Sequence, residues 1–97
     1  MPLFSSPQRR LKATSDRLQH ARAELAEVDE QLVSLRDDAC SAETKALVSD
    51  DGNYRREASQ AARHVQRFES RRVRLLDEIT RLRADQDRLL DALPSSR

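Results

Sequence analysis

Apolar residues recur along this chain at alternating intervals of three and four, in two runs separated by one break. Such a repeat, sustained over several heptads, lays one apolar seam along a helix and leaves the rest of its surface polar. With Leu11 at position a, the first run places Leu11, Leu18, Leu25, Leu32, Ala39 and Ala46 at a. Its d positions are Thr14, Ala21, Val28, Leu35, Ala42 and Ser49. The second run has Ala58, Val65, Arg72, Ile79, Gln86 and Leu93 at a, with Tyr54, Ala61, Phe68, Leu75, Leu82 and Leu89 at d. Only Arg72 and Gln86 interrupt its seam.

The break falls at Ser49-Asp50-Asp51-Gly52-Asn53, a cluster of turn-forming residues near the midpoint of the 97-residue chain. Gly52 or Asn53 is expected to take the left-handed conformation that ends a helix, and Asp51 or Asn53 to cap the next one. Ser6 is a candidate cap ahead of Pro7, which suits a first helical position. Pro94 stops the second run. The expected organisation is a disordered N-terminal tail over 1–6, a helix over 7–48, a turn over 49–53, a helix over 53–93 and a C-terminal tail over 94–97. The heptad phase does not carry through the break, which argues for a fold-back and against one continuous helix.

Folding the arms back with paired residue numbers summing to 100 sets every a residue against a d residue. Leu35 then meets Val65, Leu32 meets Phe68, Leu25 meets Leu75 and Leu18 meets Leu82. Arg72 faces Val28, and the polar residues Thr14 and Gln86 face each other, a pairing that can fix register. Charge agrees with this register. Residues 24–38 hold six acids and one base, whereas residues 62–76 hold five bases and one acid. Favourable flanking pairs expected from it are Arg17–Asp85, Asp38–His64, Lys45–Glu57 and Arg36–Glu69, against the like-charged pairs Arg22–Arg83 and Glu24–Glu78. The fold class is therefore all-α: two long helices forming an antiparallel coiled-coil hairpin, pairing into a four-helix bundle dimer.

Apolar residues outside the seam supply the reason for pairing. Ala26, Val33, Cys40 and Leu47 occupy b positions of the first run, and Ala62, Val73, Leu76 and Leu90 occupy b or e positions of the second. In an antiparallel pair these lie on one flank and form a candidate interface. A lone two-helix hairpin buries little apolar surface, so a second hairpin is the expected cover.

Composition excludes much else. Charged residues are 36% of the chain and aromatics 3%, a profile of surface-rich helices. One glycine rules out a glycine-rich phosphate loop. One cysteine and two well-separated histidines, His20 and His64, have no metal-ligand spacing, and no cofactor is expected. Cys40 and His64 come near one level but on opposite flanks, so they do not form a dyad. Carboxylates on convex helices lack the partly dry cleft that acid–base catalysis needs. No catalytic, cofactor or metal residues are therefore expected. There is no membrane span and no basic, apolar leader, so the expected location is the cytoplasm. Arginine outnumbers lysine 16 to 2, in keeping with a GC-rich, bacterial genome.

The expected function is that of a non-enzymatic scaffold or adaptor, a homodimer that binds a protein partner through a helical face. The alternative is a nucleic-acid-associated protein. Between Arg55 and Arg74 seven arginines stand against two glutamates. Arg56, Arg63, Arg67, Arg74 and Arg81 occupy outward positions from which they can contact phosphates. Against that reading stand a formal net charge of +1 and the acids of the first arm, expected to neutralise the ridge.

Overall fold

The computed structural model describes residues 6–93 and consists of two long helices, α1 (Ser6–Val48) and α2 (Gly52–Ala92), packed against each other as an antiparallel hairpin. The molecule is a rod with extents of 73 × 22 × 16 Å. The helices are long because nothing inside them interrupts propagation: Gly52 is the only glycine, and the prolines lie at positions 2, 7 and 94. Two threonines within the helices turn their hydroxyls onto the preceding turn. Thr44 Oγ1 donates to the carbonyl of Cys40 at 2.9 Å and Thr80 Oγ1 to that of Leu76 at 3.0 Å.

The connection is shorter than the turn cluster suggests. Ser49, Asp50 and Asp51 link the helices, and Gly52 is already the first residue of α2. Asp51 caps α2 from an extended backbone, its Oδ1 accepting from the Asn53 amide at 2.9 Å. Ser49 Oγ accepts from the Asp51 amide at 3.1 Å, closing the turn from the other side. No described residue has positive φ, so the left-handed conformation expected of Gly52 or Asn53 is not used. Side-chain caps turn the chain instead. At the far end α2 stops at Ala92, and Leu93 is extended with ψ 142°, as suits the residue before a proline. Helix α1 begins at Ser6, so that residue belongs to the helix and not to a tail. The rest of the expected tails, 1–5 and 94–97, lies outside the described residues.

The register follows the sequence pattern. Every a and d position of both runs is buried or half-buried, whereas nearly all b, c, e, f and g positions are exposed. Polar contacts between the helices join Glu24 to Arg71 (numbers summing to 95), Asp29 to Arg72 (101), Ser15 to Gln86 (101) and Arg36 to Glu69 (105), bracketing the expected 100. Burial is uneven along the seam. Leu18, Ala21, Val28, Leu32, Leu75 and Leu82 form the buried core, with Leu25, Val65, Phe68 and Ile79 packed against it. These six, and buried Thr14, occupy the levels of α1 residues 14–32, from near the open end to just past the middle of the rod. Towards the turn the seam narrows to Ala39, Ala42, Ala46, Ala58 and Ala61, all half-buried. Small side chains let the two backbones converge on a three-residue connection, but they leave the seam thinly covered.

Two seam expectations change. Gln86 Nε2 donates to Ser15 Oγ at 3.1 Å, one position beyond Thr14. The longer amide reaches past the seam to a hydroxyl at its edge, while Thr14 stays buried. Arg72 likewise does not end over Val28. Its Nε donates to Asp29 Oδ1 at 2.7 Å, with the two side chains 42% and 48% exposed. The stem covers the seam and the guanidinium leaves it for water, as a long cationic side chain at a half-buried position can do.

Candidate functional site

The ion pairs mark two flanks of the hairpin. Arg36–Glu69 joins e positions, and Arg72–Asp29 and Gln86–Ser15 emerge on that same side. Arg71–Glu24, at 2.6 Å, joins g positions on the opposite side. Of the four favourable pairs expected from the register, only Arg36–Glu69 forms, at 3.4 Å. Asp85 pairs within its own helix, with Arg88, instead of with Arg17. Arg88 stands three positions after Asp85 on the same helix face, so less side-chain freedom is lost than in reaching across the seam. Asp38 and His64 line one shallow groove without an ion pair, and Lys45–Glu57 is not formed. Asp38, His64, Lys45 and Glu57 all stay exposed, where hydration competes with a weak attraction.

The e/b flank carries the apolar stripe. Ala26, Val33, Cys40, Leu47, Ala62, Val73, Leu76 and Leu90 are all exposed. The large side chains range from 37% exposed at Leu76, through 51% at Leu90, 58% at Val73 and 63% at Val33, to 81% at Leu47. The stripe is not spread evenly. Through the register, all but Leu90 lie at the levels of α1 residues 24–47, from the middle of the rod to the turn. Val48, 82% exposed, was not among the expected interface residues and extends the apolar surface at that end. Its c position places it off the stripe, so heptad position alone does not find it. Its place beside the chain reversal is the available signal.

The g/c flank carries the arginines. A groove of about 700 Å³ is lined there by Arg63, Arg67, Arg71 and Arg74, by Glu24 and Glu27, and by Val28 and Phe68 at its floor. Arg71 is held by Glu24. Arg63, Arg67, Arg74 and Arg81 have no hydrogen bond or ion pair among the described residues. The acidic first arm therefore neutralises the ridge only in part: Glu24 and Asp29 take Arg71 and Arg72 and leave the outward row unmatched. Arg56 donates to Asn53 Oδ1 at 3.0 Å, which ties it to the start of α2. A third groove, of about 560 Å³ at the open end, is lined by Arg10, Arg17, Asp85 and Arg88.

Among the described residues no group of three His, Cys, Asp or Glu is placed to hold a metal ion, and no helix is long and apolar enough to cross a membrane. Cys40 is exposed, and so is His64, on the other flank. Comparison with protein-family models, with curated proteins and with solved structures finds no match.

Proposed function

We propose that the hairpin is a non-enzymatic coiled-coil scaffold that pairs with a second copy of itself through the e/b flank, giving a four-helix bundle. Its remaining helical faces are then offered to a protein partner. The observation that carries this reading is one exposed apolar stripe running along the e/b flank from the turn to the middle of the rod. Cys40, Leu47 and Ala62 lie beside the half-buried alanines of the seam, and Val33, Val73 and Leu76 continue the stripe past the buried Val28 and Leu32. A surface that is apolar over that length, and thinly covered beside the turn, is matched by a neighbour of similar length and apolar character. A second hairpin meets that need by symmetry, because the same patch then serves both sides.

The magnitudes are compatible with a reversible dimer. Val33, Leu47, Val73 and Leu76 from two copies supply eight side chains, each worth roughly 1 kcal/mol or more once covered. That total is comparable with the several kcal/mol lost to association. The Arg36–Glu69 and Arg72–Asp29 pairs cross the same flank between the helices and would lie within such an interface, already matched in charge.

The test is oligomeric mass. Light scattering on the wild type at micromolar concentration should report about twice the chain mass of 11.1 kDa. Val33→Glu combined with Leu76→Glu leaves every a and d residue in place and sets four charges in the dimer, and should report one chain mass. A wild type that is monomeric under these conditions refutes self-association.

A further inference from the structure

The g/c flank has a character that self-association through the opposite flank does not explain. On α2 an arginine recurs at every seventh residue, at positions 67, 74, 81 and 88, with Arg63 beside the start of the row. Residues seven apart lie on one helix face about 10 Å apart along its axis. From Arg63 to Arg81 the row is about 27 Å long and straight. Arg88 is tied to Asp85, but Arg63, Arg67, Arg74 and Arg81 are unpaired among the described residues. In the groove that Arg63, Arg67 and Arg74 border, Glu24 is already matched by Arg71, which leaves Glu27 against those three guanidiniums, while Asp38 and Glu57 share the adjoining groove with Arg63 and Arg67 without pairing to them.

We propose that this outward row binds the phosphate backbone of double-stranded nucleic acid without reading its sequence. Three features choose that ligand over an acidic protein or a single strand. No large apolar side chain stands among the c and f positions of α2. A protein interface is anchored by such side chains, whereas a backbone contact needs only charge. The sole aromatic at the groove, Phe68, belongs to the seam and is half-buried, so there is no platform on which unpaired bases could stack. A rigid straight row also suits a rigid duplex that repeats its charges along a fixed axis. Arginine rather than lysine fits phosphate, because the guanidinium fork can donate two parallel hydrogen bonds to one phosphate group. The row lies on the flank opposite the apolar stripe, so the two surfaces do not compete.

Fluorescence anisotropy of a labelled random-sequence duplex of about 24 base pairs tests this. Four phosphate contacts imply a weakening of about 150-fold between roughly 50 and 200 mM salt. Arg63→Gln, Arg67→Gln and Arg74→Gln combined should weaken binding at low salt by at least about 30-fold and flatten the salt dependence, since three of the four contacts are lost. The charge-matched control removes Arg22, Arg55 and Arg83, all exposed e-position residues on the other flank, by the same change to Gln. It should weaken binding by less than about 3-fold, as diffuse charge alone would. Unchanged helicity, unfolding midpoint and mass by light scattering in both variants confirm that the fold and its association state are intact. Equal losses from the two triple variants, tighter binding to a single strand of the same length, stronger competition by polyglutamate than by unlabelled duplex, or no binding at low salt would each overturn the proposal.

Discussion

Arg72→Leu is the substitution that most sharply tests how the seam is built. Arg72 stands at an a position, yet its guanidinium reaches out to Asp29 at 2.7 Å. With the two side chains 42% and 48% exposed, the pair belongs with surface ion pairs, and its loss costs about 0.2–1 kcal/mol. Asp29 keeps its water, so no buried charge is stranded. Leucine at the same position places its whole side chain over Val28, which is buried beneath the seam. Full burial of a leucine is worth about 1.5–3 kcal/mol, but the arginine stem already covers part of that surface, so a gain of about 1–1.5 kcal/mol is realistic. The variant is expected to be unchanged or more stable by up to about 1 kcal/mol, or at most about 4–8 °C in Tm. Urea unfolding followed by far-UV circular dichroism measures it, with an unchanged slope required for the comparison. The titration is run at two chain concentrations, because dimer formation would make stability concentration-dependent. A loss greater than about 1.5 kcal/mol would refute the reasoning and show that the Arg72–Asp29 pair organises the hairpin.

Leu75→Asp places an unpaired charge in the buried core at the level of Leu25 and should abolish the cooperative thermal transition, read by circular dichroism; an intact transition would mean the seam is not where the burial places it. Asp51→Ala removes the carboxylate that accepts from the Asn53 amide and should cost about 1 kcal/mol in urea unfolding, with Asp51→Asn recovering most of it. Gly52→Ala should be neutral or stabilising by up to about 1 kcal/mol in the same assay, because Gly52 does not have positive φ and an added Cβ would meet only the tip of Arg55 at 3.8 Å. A clear loss there would show that the turn needs glycine after all.

Hairpin, register and seam were legible because each rests on period and phase, which a sequence displays directly. All a and d residues are at least half-buried because one seven-residue repeat controls them all. What was not legible depends on where flexible side chains end. Gln86 prefers Ser15 to Thr14, Asp85 prefers Arg88 to Arg17, and Arg72 swings out to Asp29. Such choices turn on energies of a few tenths of a kcal/mol among exposed groups, which pattern alone does not resolve. The turn was misread for a related reason. Gly52 and Asn53 suggest a left-handed residue, but the Ser49 hydroxyl and the Asp51 carboxylate satisfy the backbone without one. The stripe was legible as a list of residues, while the thin covering of the seam beside its turn-proximal end appeared only with the uneven burial of the layers.

That unevenness sets how the two ends of the rod are held together. Three residues join the helices at one end, so bringing the first layers into contact there costs little loop-closure entropy, and alanine contacts suffice. At the other end the arms meet only after some eighty intervening residues, and no short tether assists them. The leucine layers at Leu18, Leu82, Leu25 and Leu75 stand on that side of the rod. Tether and burial thus divide the molecule between them, one end closed by chain connectivity and the other by water-excluding contact. A cut in the connection would leave the distal leucine layers as the main hold between two separate helices, and the half beside the turn would be the first to part.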